Sequence, residues 1–534
     1  VASLRAHGVD TVFGLPGAQT YELYDAFARD TSGLRIYGVR HEQTAAYMAF
    51  GYAKASGRPG VCTVVPGPGV LNAGAALCTA YGTSMPVLCV TAEVPRAFIG
   101  SGKGHLHELP DQLALLRGLT KWSERIDDVS RAPELMAQAF RQLASGRPRP
   151  VAIEVPWDVF GIRGPRAAVL RLPALPALAA DTQHIEAAAK LLAAAKNPML
   201  MVGGGAQHAR AEVIALAEHL QAPVVSFRGG RGIVPDDHYL GFNCACGFAR
   251  WAEADVLVGI GSRLELQWFR WPDQPERLKI VLLDVDPQQM TRLNPTIAVV
   301  GDAQLATADL LAAVQRLAAP RASRADEWMA VKARVAERTQ VVQPQLAYLA
   351  AIRDVLPRDG FFVEEISQVG FASHFGFPIY EPRTFVTAGH QGTLGFGFPT
   401  ALGVKVAFPH RSVVSIVGDG GLMFAIGEFA TAVQHGINVV TVLFNNNSYG
   451  NVRRDQLRLY QGRTLGAELS NPDFVKLAES FGVHAERVKS PARLRSALER
   501  AFAANCPALI EVPVERGAEY SPWEFTMPPS SKAS

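Results

Sequence analysis

No apolar run in the sequence approaches the ~18 residues needed to cross a bilayer, so no membrane-spanning helix is expected. The opening residues, VASLRAHGVD, lack the regions of a secretion signal. Val1 falls inside a helical pattern with no Met before it, so the start reads as trimmed. Excess charge of one sign is also missing. Lys and Arg number 52 against 49 Asp and Glu, and the resulting net charge of +3 is too small and scattered for nucleic acid or a membrane surface. The six cysteines (Cys62, Cys78, Cys89, Cys244, Cys246 and Cys506) contain no CxxC pair and sit mostly in apolar stretches. That spacing argues against zinc and disulfides and for reduced core thiols in a cytoplasmic protein. No strand candidate runs into a GxGxxG turn with an acidic partner ~20 residues on, which argues against a nicotinamide or flavin oxidoreductase. Short repeats and low-complexity tracts are absent too.

What the sequence has is length and a recurring grammar. At 534 residues, 48% of them apolar, the chain is too long for one core and suits about three domains of ~150–200 residues. Short Val/Ile/Leu runs alternate with longer Ala/Leu-rich helical patterns, the order of parallel α/β sheets. The alternation occurs three times. Residues 1–162 hold the strand candidates TVFGLPG, GVCTVVPG, PVLCVTAE and PVAIEVP. Residues 183–318 hold PMLMVGGGA, APVVSFRGG, DVLVGIGS and KIVLLDVDP, and residues 340–526 hold GFFVEEI, SVVSIVGDG, NVVTVLFNN and PALIEVPV. Between the first two blocks, GIRGPRAAVLRLPALPALAAD reads as a linker broken by proline. RASRADEWMAVKARVAERTQ reads as a charged helical bridge to the third. The fold expected is α/β, with three doubly wound parallel-sheet domains.

In open parallel sheets, ligands collect at the carboxyl ends of strands, where turns and helix N-termini point N–H groups outward. The strand SVVSIV ends in Gly418-Asp419-Gly420-Gly421 and leads into a helix expected from Leu422 to about His435. Glycine there lets the backbone approach a diphosphate, and Asp419 offers a hard oxygen to Mg²⁺. One helix and one strand later, VVTVLF ends in Asn445-Asn446-Asn447-Ser448. If the two strands are neighbours, an amide oxygen of this run can complete the coordination. A lone GDG turn is usually only a turn; the pairing with the asparagines is what carries information.

GDG, a helix and strand, then NN resembles the diphosphate motif of the thiamine-diphosphate enzymes. The resemblance implies metal ligation by Asp419, Asn446 and the Ser448 carbonyl, with Gly418, Gly420 and Gly421 along the diphosphate. Such a cofactor needs a Glu in a water-poor pocket to share a proton with its aminopyrimidine. Glu42, after a short strand in GVRHEQTAAYMAFGYAKASG, resembles that residue; on its own it would read as a first-turn Glu favoured by the helix dipole. Three further stretches resemble the family. FGLPGAQT would border the reaction pocket with Leu15 and Ala18, and PGPGVLNAGAAL would set Asn72 beside the cofactor. GHQGTLGFGFPTALG would wedge Leu394 between the cofactor rings, with Gly392 and Leu394 binding the aminopyrimidine and His390 near the reaction. Ser367 and Gln368 are implied at the cofactor as well. Along the whole chain the order is pyrimidine-binding, middle Rossmann-like and diphosphate-binding domain, most like acetolactate synthase and its relatives benzoylformate decarboxylase and benzaldehyde lyase.

The resemblance implies thiamine diphosphate and Mg²⁺ as cofactors and a homodimer or homotetramer with active sites at the subunit interface. The substrate would be a small 2-oxo acid, aldehyde or acyloin. The leading activity is 2-oxo acid decarboxylation with acetolactate-type carboligation. Nonoxidative decarboxylation, acyloin lysis, diketone hydrolysis and a non-catalytic scaffold are the alternatives, the last opposed by the joint presence of Glu42, Asp419 and Asn446. Two departures stand out. Asp455 occupies the place of a Trp found after NN in biosynthetic acetolactate synthases. GSRLELQWF replaces their flavin segment, which argues against FAD, although Gly203-Gly204-Gly205 and LLDVDP would suit a nucleotide. His107 and Gln112 in GSGKGHLHELPDQ, with Val452 and Trp523, are candidate substrate contacts, and the C-terminal EYSPWEFTMPPSSKAS reads as a lid or a frayed tail.

Overall fold

The computed structural model describes residues 1–165, 167–173 and 175–530. It contains three six-stranded, all-parallel sheets, one per block. The first comprises β1 (Thr11–Gly14), β2 (Arg35–Gly38), β3 (Gly60–Val64), β4 (Val87–Glu93), β5 (Trp122–Arg125) and β6 (Val151–Pro156), in the order β2-β1-β3-β4-β6-β5. The second comprises β7 (Pro198–Val202), β8 (Val224–Ser226), β9 (Gly241–Phe242), β10 (Val256–Ile260), β11 (Lys279–Asp284) and β12 (Ile297–Val300), in the order β12-β11-β10-β7-β8-β9. The third comprises β13 (Phe361–Val363), β14 (Phe385–Val386), β15 (Val413–Gly418), β16 (Val440–Asn445), β17 (His484–Arg487) and β18 (Ala508–Pro513), in the order β14-β13-β15-β16-β18-β17.

All twelve apolar runs picked out from the sequence are inner strands, and all six edge strands lie outside them. Inner strands such as β4 and β6 are buried along their whole length, because helices cover both faces of a parallel sheet, so they read as unbroken apolar runs. The edges β2, β5 and β17 are half exposed and polar, and β9 and β14 are two residues long. Residues 161–181 hold no helix or strand among the described residues, with 166 and 174 outside them, while the bridge forms the helix Ala325–Thr339.

The first and third domains share one core. Its centre is the contact between the helices Glu42–Ser56 and Gly397–Ala407. Gly51 faces the Thr400 carbonyl and Gly403 faces the Met48 carbonyl so closely that a Cβ on either glycine would collide with backbone. Two helices that touch main chain to main chain fix the relative position of everything at their ends. The first helix is capped by His41, whose Nδ1 accepts from Gln43 N at 3.1 Å, and it stops at Gly57 with φ 72°. Glu42 is thereby held at the start of a helix buried on nearly every side from Thr44 to Ala55.

Candidate active site

Strands β15 and β16 are neighbours, with Gly418 opposite Phe444, so Asp419 and the Asn445–Ser448 run leave the sheet side by side. The single helix expected from Leu422 is instead broken. A short helix, Asp419–Leu422, begins at the carboxylate itself, and Phe429–His435 follows after a turn. The break seats Glu428 where it accepts from Arg40 N at 3.1 Å and from Thr431 Oγ1 at 2.5 Å, tying the turn to the first domain.

Asp419 is 2% exposed. Asn471 Nδ2 donates to its Oδ2 at 2.7 Å and lies 3.2 Å from the Oδ1 atoms of both Asn445 and Asn447. Burial raises the Asp419 pKa, opposed by Asn471 and by main-chain N–H groups. Asn446 Oδ1 accepts from Ser448 N at 3.1 Å and Ser448 Oγ at 3.0 Å, while its Nδ2 donates to Glu519 Oε2 at 2.9 Å. No ion pair engages Asp419 among the described residues, and none of them form a cluster of three His, Cys, Asp or Glu. A buried carboxylate without a cationic side chain, close to the amide oxygens of Asn445 and Asn447, is a donor set for a hard cation such as Mg²⁺. Glycine keeps the adjoining floor low: a Cβ on Gly420 would strike the Tyr449 ring, and one on Gly421 would lie 3.1 Å from Glu365 Cγ. Ser367 caps the helix Gln368–Gly376, with its Cβ 3.6 Å from a Cβ built on Gly418. These residues fit a metal–diphosphate group.

The next turn, 389–396, has Gly389, Gly392 and Gly395 at φ 67°, 57° and 75°, with half-buried Leu394 among them. Glu365 fastens it from beneath, accepting from Phe396 N at 3.4 Å and Gly397 N at 2.8 Å. Burial pushes the Glu365 carboxyl up to about 7. His390, expected near the reacting end, takes a different direction. Its imidazole lies beside Gly82 and 3.1 Å from Arg263 of the middle domain, and desolvation and that guanidinium lower its pKa. The left-handed Gly389 before it and the space left by Gly82 permit this turn away from Leu394.

In the first domain, Asn72 Nδ2 donates to Glu42 Oε2 at 3.0 Å. Asn72 is exposed and Glu42 half buried in the single chain, which departs from the water-poor pocket expected for Glu42. A Cβ built on Gly69 would lie 3.6 Å from Glu42 Oε1. His107, at φ 68°, has Nδ1 2.7 Å from Gln19 Oε1, and Gln19 Nε2 donates to Leu106 O at 2.7 Å; desolvation lowers the imidazole pKa. Leu15 and Ala18 are half buried in the loop between β1 and Thr20. Gln112 is a correction: at 1% exposure its amide accepts from Gly67 N and donates to Ala92 O, both at 2.8 Å, and to Glu154 Oε2 at 3.0 Å. It is a strut under the Gly67 turn rather than a group open to substrate, because every polar atom it has is already engaged inside the domain.

The helix Gly450–Leu459 follows the asparagine run with Val452 exposed. Arg454 Nη1 donates to Gln368 Oε1 at 3.0 Å, and Trp523 Nε1 donates to Asn451 Oδ1 at 2.9 Å while its ring lies on Phe371. The segment through Met527 is therefore docked and includes the short helix Trp523–Thr526, whereas 531–534 lie outside the described residues. Asn471, Glu365 and Glu519 were not anticipated from the sequence. Only the EE pair after β13 offered any signal, as charge at the end of an apolar strand.

A separate cavity of about 410 Å³ lies where the three domains meet, lined by Lys54, Gly203–Gly205, Arg263, Arg383 and His390 among others. Lys54 is 4% exposed, and burial, then Arg383, lowers its pKa to about 8.

Two α/β domains, one carrying Glu42 beside Asn72 and the other a buried carboxylate over a glycine floor, have a make-up that fits a thiamine-diphosphate-binding pair. Comparison with known proteins agrees. Residues 1–115, 185–311 and 365–512 match the N-terminal binding, central and C-terminal binding domains of the thiamine pyrophosphate enzymes, and the chain belongs to that family. It is 34% identical over 522 residues to the probable 2-ketoarginine decarboxylase AruI of Pseudomonas aeruginosa, covering 96% of this chain and 92% of the relative. It is also 34% identical over 555 residues to the probable acetolactate synthase large subunit of Methanocaldococcus jannaschii (96% and 91%). With the acetolactate synthase large subunit of Haemophilus influenzae it shares 32% over 554 residues (98% and 95%). The protein is thus a thiamine-diphosphate-dependent enzyme, acetolactate synthase-like, whose chemistry breaks or forms a carbon–carbon bond beside a carbonyl.

Proposed function

We propose that the protein decarboxylates a small 2-oxo acid and joins the retained acyl unit to a second carbonyl, as an acetolactate-type carboligase. The observation carrying this reading is the juxtaposition of Asp419 and Asn446 at adjacent strand ends over a glycine floor. When bound, thiamine diphosphate supplies a carbon nucleophile and a sink for the electron pair released on C–C cleavage. Asp419, Asn446 and the Ser448 carbonyl would hold Mg²⁺, and Gly418, Gly420 and Gly421 would accommodate the diphosphate. Leu394, with Gly392 beside it, would set the shape of the bound cofactor. Glu42, which accepts from Asn72, would be the carboxyl group placed to hold or share a proton with the pyrimidine ring. Leu15, Ala18, His107, Val452 and Trp523 border the substrate.

The catalytic unit is at least a dimer. Tyr21, Leu71 and Leu106 near the Glu42 side, and Met423, Phe424 and Val452 near the metal side, are large apolar residues left exposed in the single chain. A second copy would cover both groups and exclude water from Glu42. The reaction is redox-neutral, so it requires nothing redox-active in the interdomain cavity, and FAD has no part in this reading.

A decarboxylase releasing free aldehyde is the second reading, favoured by the likeness to AruI and by Asp455 after the NN motif. Purified protein with thiamine diphosphate, Mg²⁺ and a panel of 2-oxo acids, followed by CO₂ release and mass spectrometry, separates the two. Acyloin or acetolactate products lost in Glu42→Ala and Asp419→Ala support carboligation, and aldehyde alone selects the decarboxylase. Turnover unchanged in Glu42→Ala would overturn the catalytic assignment.

A further inference from the structure

The matched C-terminal binding domain ends at residue 512, yet the chain beyond it returns to the asparagine run. Val514 N donates to Asn445 O at 2.8 Å, Glu519 Oε2 accepts from Asn446 Nδ2 at 2.9 Å, and Arg516 Nη2 donates to Asn447 O at 2.9 Å. Three consecutive residues of the run are thus gripped from one side by one short segment. The segment is anchored at its far end, where Tyr520 N donates to Gln343 O at 3.2 Å and Gln345 Nε2 to Tyr520 O at 2.6 Å. Of residues 515–520, Glu519 alone is not exposed, and among the described residues it makes no ion pair. Gly450 leaves the necessary room: a Cβ there would lie 2.8 Å from Asn446 Nδ2 and 3.9 Å from Glu519 Oε2.

An asparagine amide has a donor end and an acceptor end of nearly the same shape, and only the oxygen can ligate a metal. A carboxylate accepts but does not donate. Placed against Asn446, Glu519 therefore selects the orientation in which NH₂ faces the strap. Oδ1 is left on the opposite side, where it accepts from Ser448 N and from the Ser448 hydroxyl, a rotor that can turn aside for a cation. Arg516 and Val514 hold the flanking carbonyls, so the loop cannot follow the amide if it rotates.

We propose that residues 514–520 form a strap over the metal-binding loop and that Glu519 is a positioning residue that fixes the Asn446 amide with its oxygen toward Mg²⁺. The proposal rests on the reading of Asn446 as a metal ligand. It concerns metal affinity, so the test reads binding: Mg²⁺ is titrated into protein with saturating thiamine diphosphate, followed by calorimetry and tryptophan fluorescence. Wild type, Glu519→Ala, Glu519→Gln and Asp419→Ala are compared, with melting of the cofactor-free proteins as the folding control. Outer-shell partners of a metal site are typically worth about 10–100-fold in affinity. Glu519→Ala is expected to weaken Mg²⁺ binding by that factor. Glu519→Gln, whose amide can present either an acceptor or a donor to Asn446, keeps the selection only in part and should weaken binding less than Glu519→Ala does, and kcat at saturating Mg²⁺ should fall far less than affinity in both. If Ala prevents folding, Glu519→Met fills the space without an acceptor and takes its place. Unchanged affinity in the Ala or Met variant, with binding lost in Asp419→Ala, overturns the strap proposal alone, as does equal loss in the Gln and Ala variants. Intact Mg²⁺ binding in Asp419→Ala overturns the metal site itself.

Discussion

The first and third sheets have the same strand order. Counted from each domain's own first strand, both run 2-1-3-4-6-5, and the two domains meet through equivalent helices, Glu42–Ser56 after β2 and Gly397–Ala407 after β14. Their chemistry differs at every corresponding turn. After the third strand, one has Gly67-Pro68-Gly69 and the other Gly418-Asp419-Gly420. After the first strand, one has Leu15-Pro16 and the other the buried pair Glu364-Glu365. After the second strand, one presents Glu42 and the other the glycine turn around Leu394. The topology determines where a group can act, and single residues at strand ends determine what it does.

The comparison can be broken most sharply by disabling one half at a time. Glu42→Gln is expected to lower kcat by about a hundred- to ten-thousandfold while thiamine diphosphate still binds, measured by cofactor titration beside steady-state rates. Asp419→Ala should act on the other quantity, weakening Mg²⁺-dependent cofactor binding by more than about a hundredfold. If both variants lost the same quantity, the division of labour would be wrong. The carboxylate peculiar to the third domain gives a pH signature. Glu365 has a pKa of about 7 in the fold against an ordinary 4.5, so the folded chain holds the proton more tightly than the unfolded chain. Its stabilising effect is full below the ordinary value and is lost as pH rises from about 4.5 to 7, about 3 kcal/mol in all. Cofactor-free Glu365→Gln should therefore lose less stability than wild type between pH 5 and pH 8 in denaturant melts; parallel curves would refute this. The smallest effect tests the symmetry itself. Gly51→Ala and Gly403→Ala each push a methyl against backbone of the opposite helix and should each cost about 1–3 kcal/mol, to a similar extent, by thermal melting.

The same contrast explains how much could be read in advance. The three-sheet architecture was legible because inner parallel strands are buried on both faces and show as apolar runs, whereas polar edges such as HAER at 484–487 do not. The adjacency of Asp419 and Asn446 was legible because each follows an apolar strand and the two strands are neighbours in sequence as well as in space. Asn471 and Glu519 were not, since each reaches the site from a loop without periodicity. His390 and Gln112 show the opposite failure: both stand in informative stretches, but the direction of a side chain is set by partners, Arg263 and Gly67, that are remote in sequence.

The strap also bears on the order in which the protein is made. Glu42 is synthesised early, Asp419 and Asn446 late, and Glu519 later still, so the asparagine run leaves the ribosome before the residue that hydrogen-bonds its Asn446 amide. Contacts closed over such separations form slowly in folding. A chain cut between β18 and the strap would hold every strand of the third sheet while its asparagine run lacked Glu519.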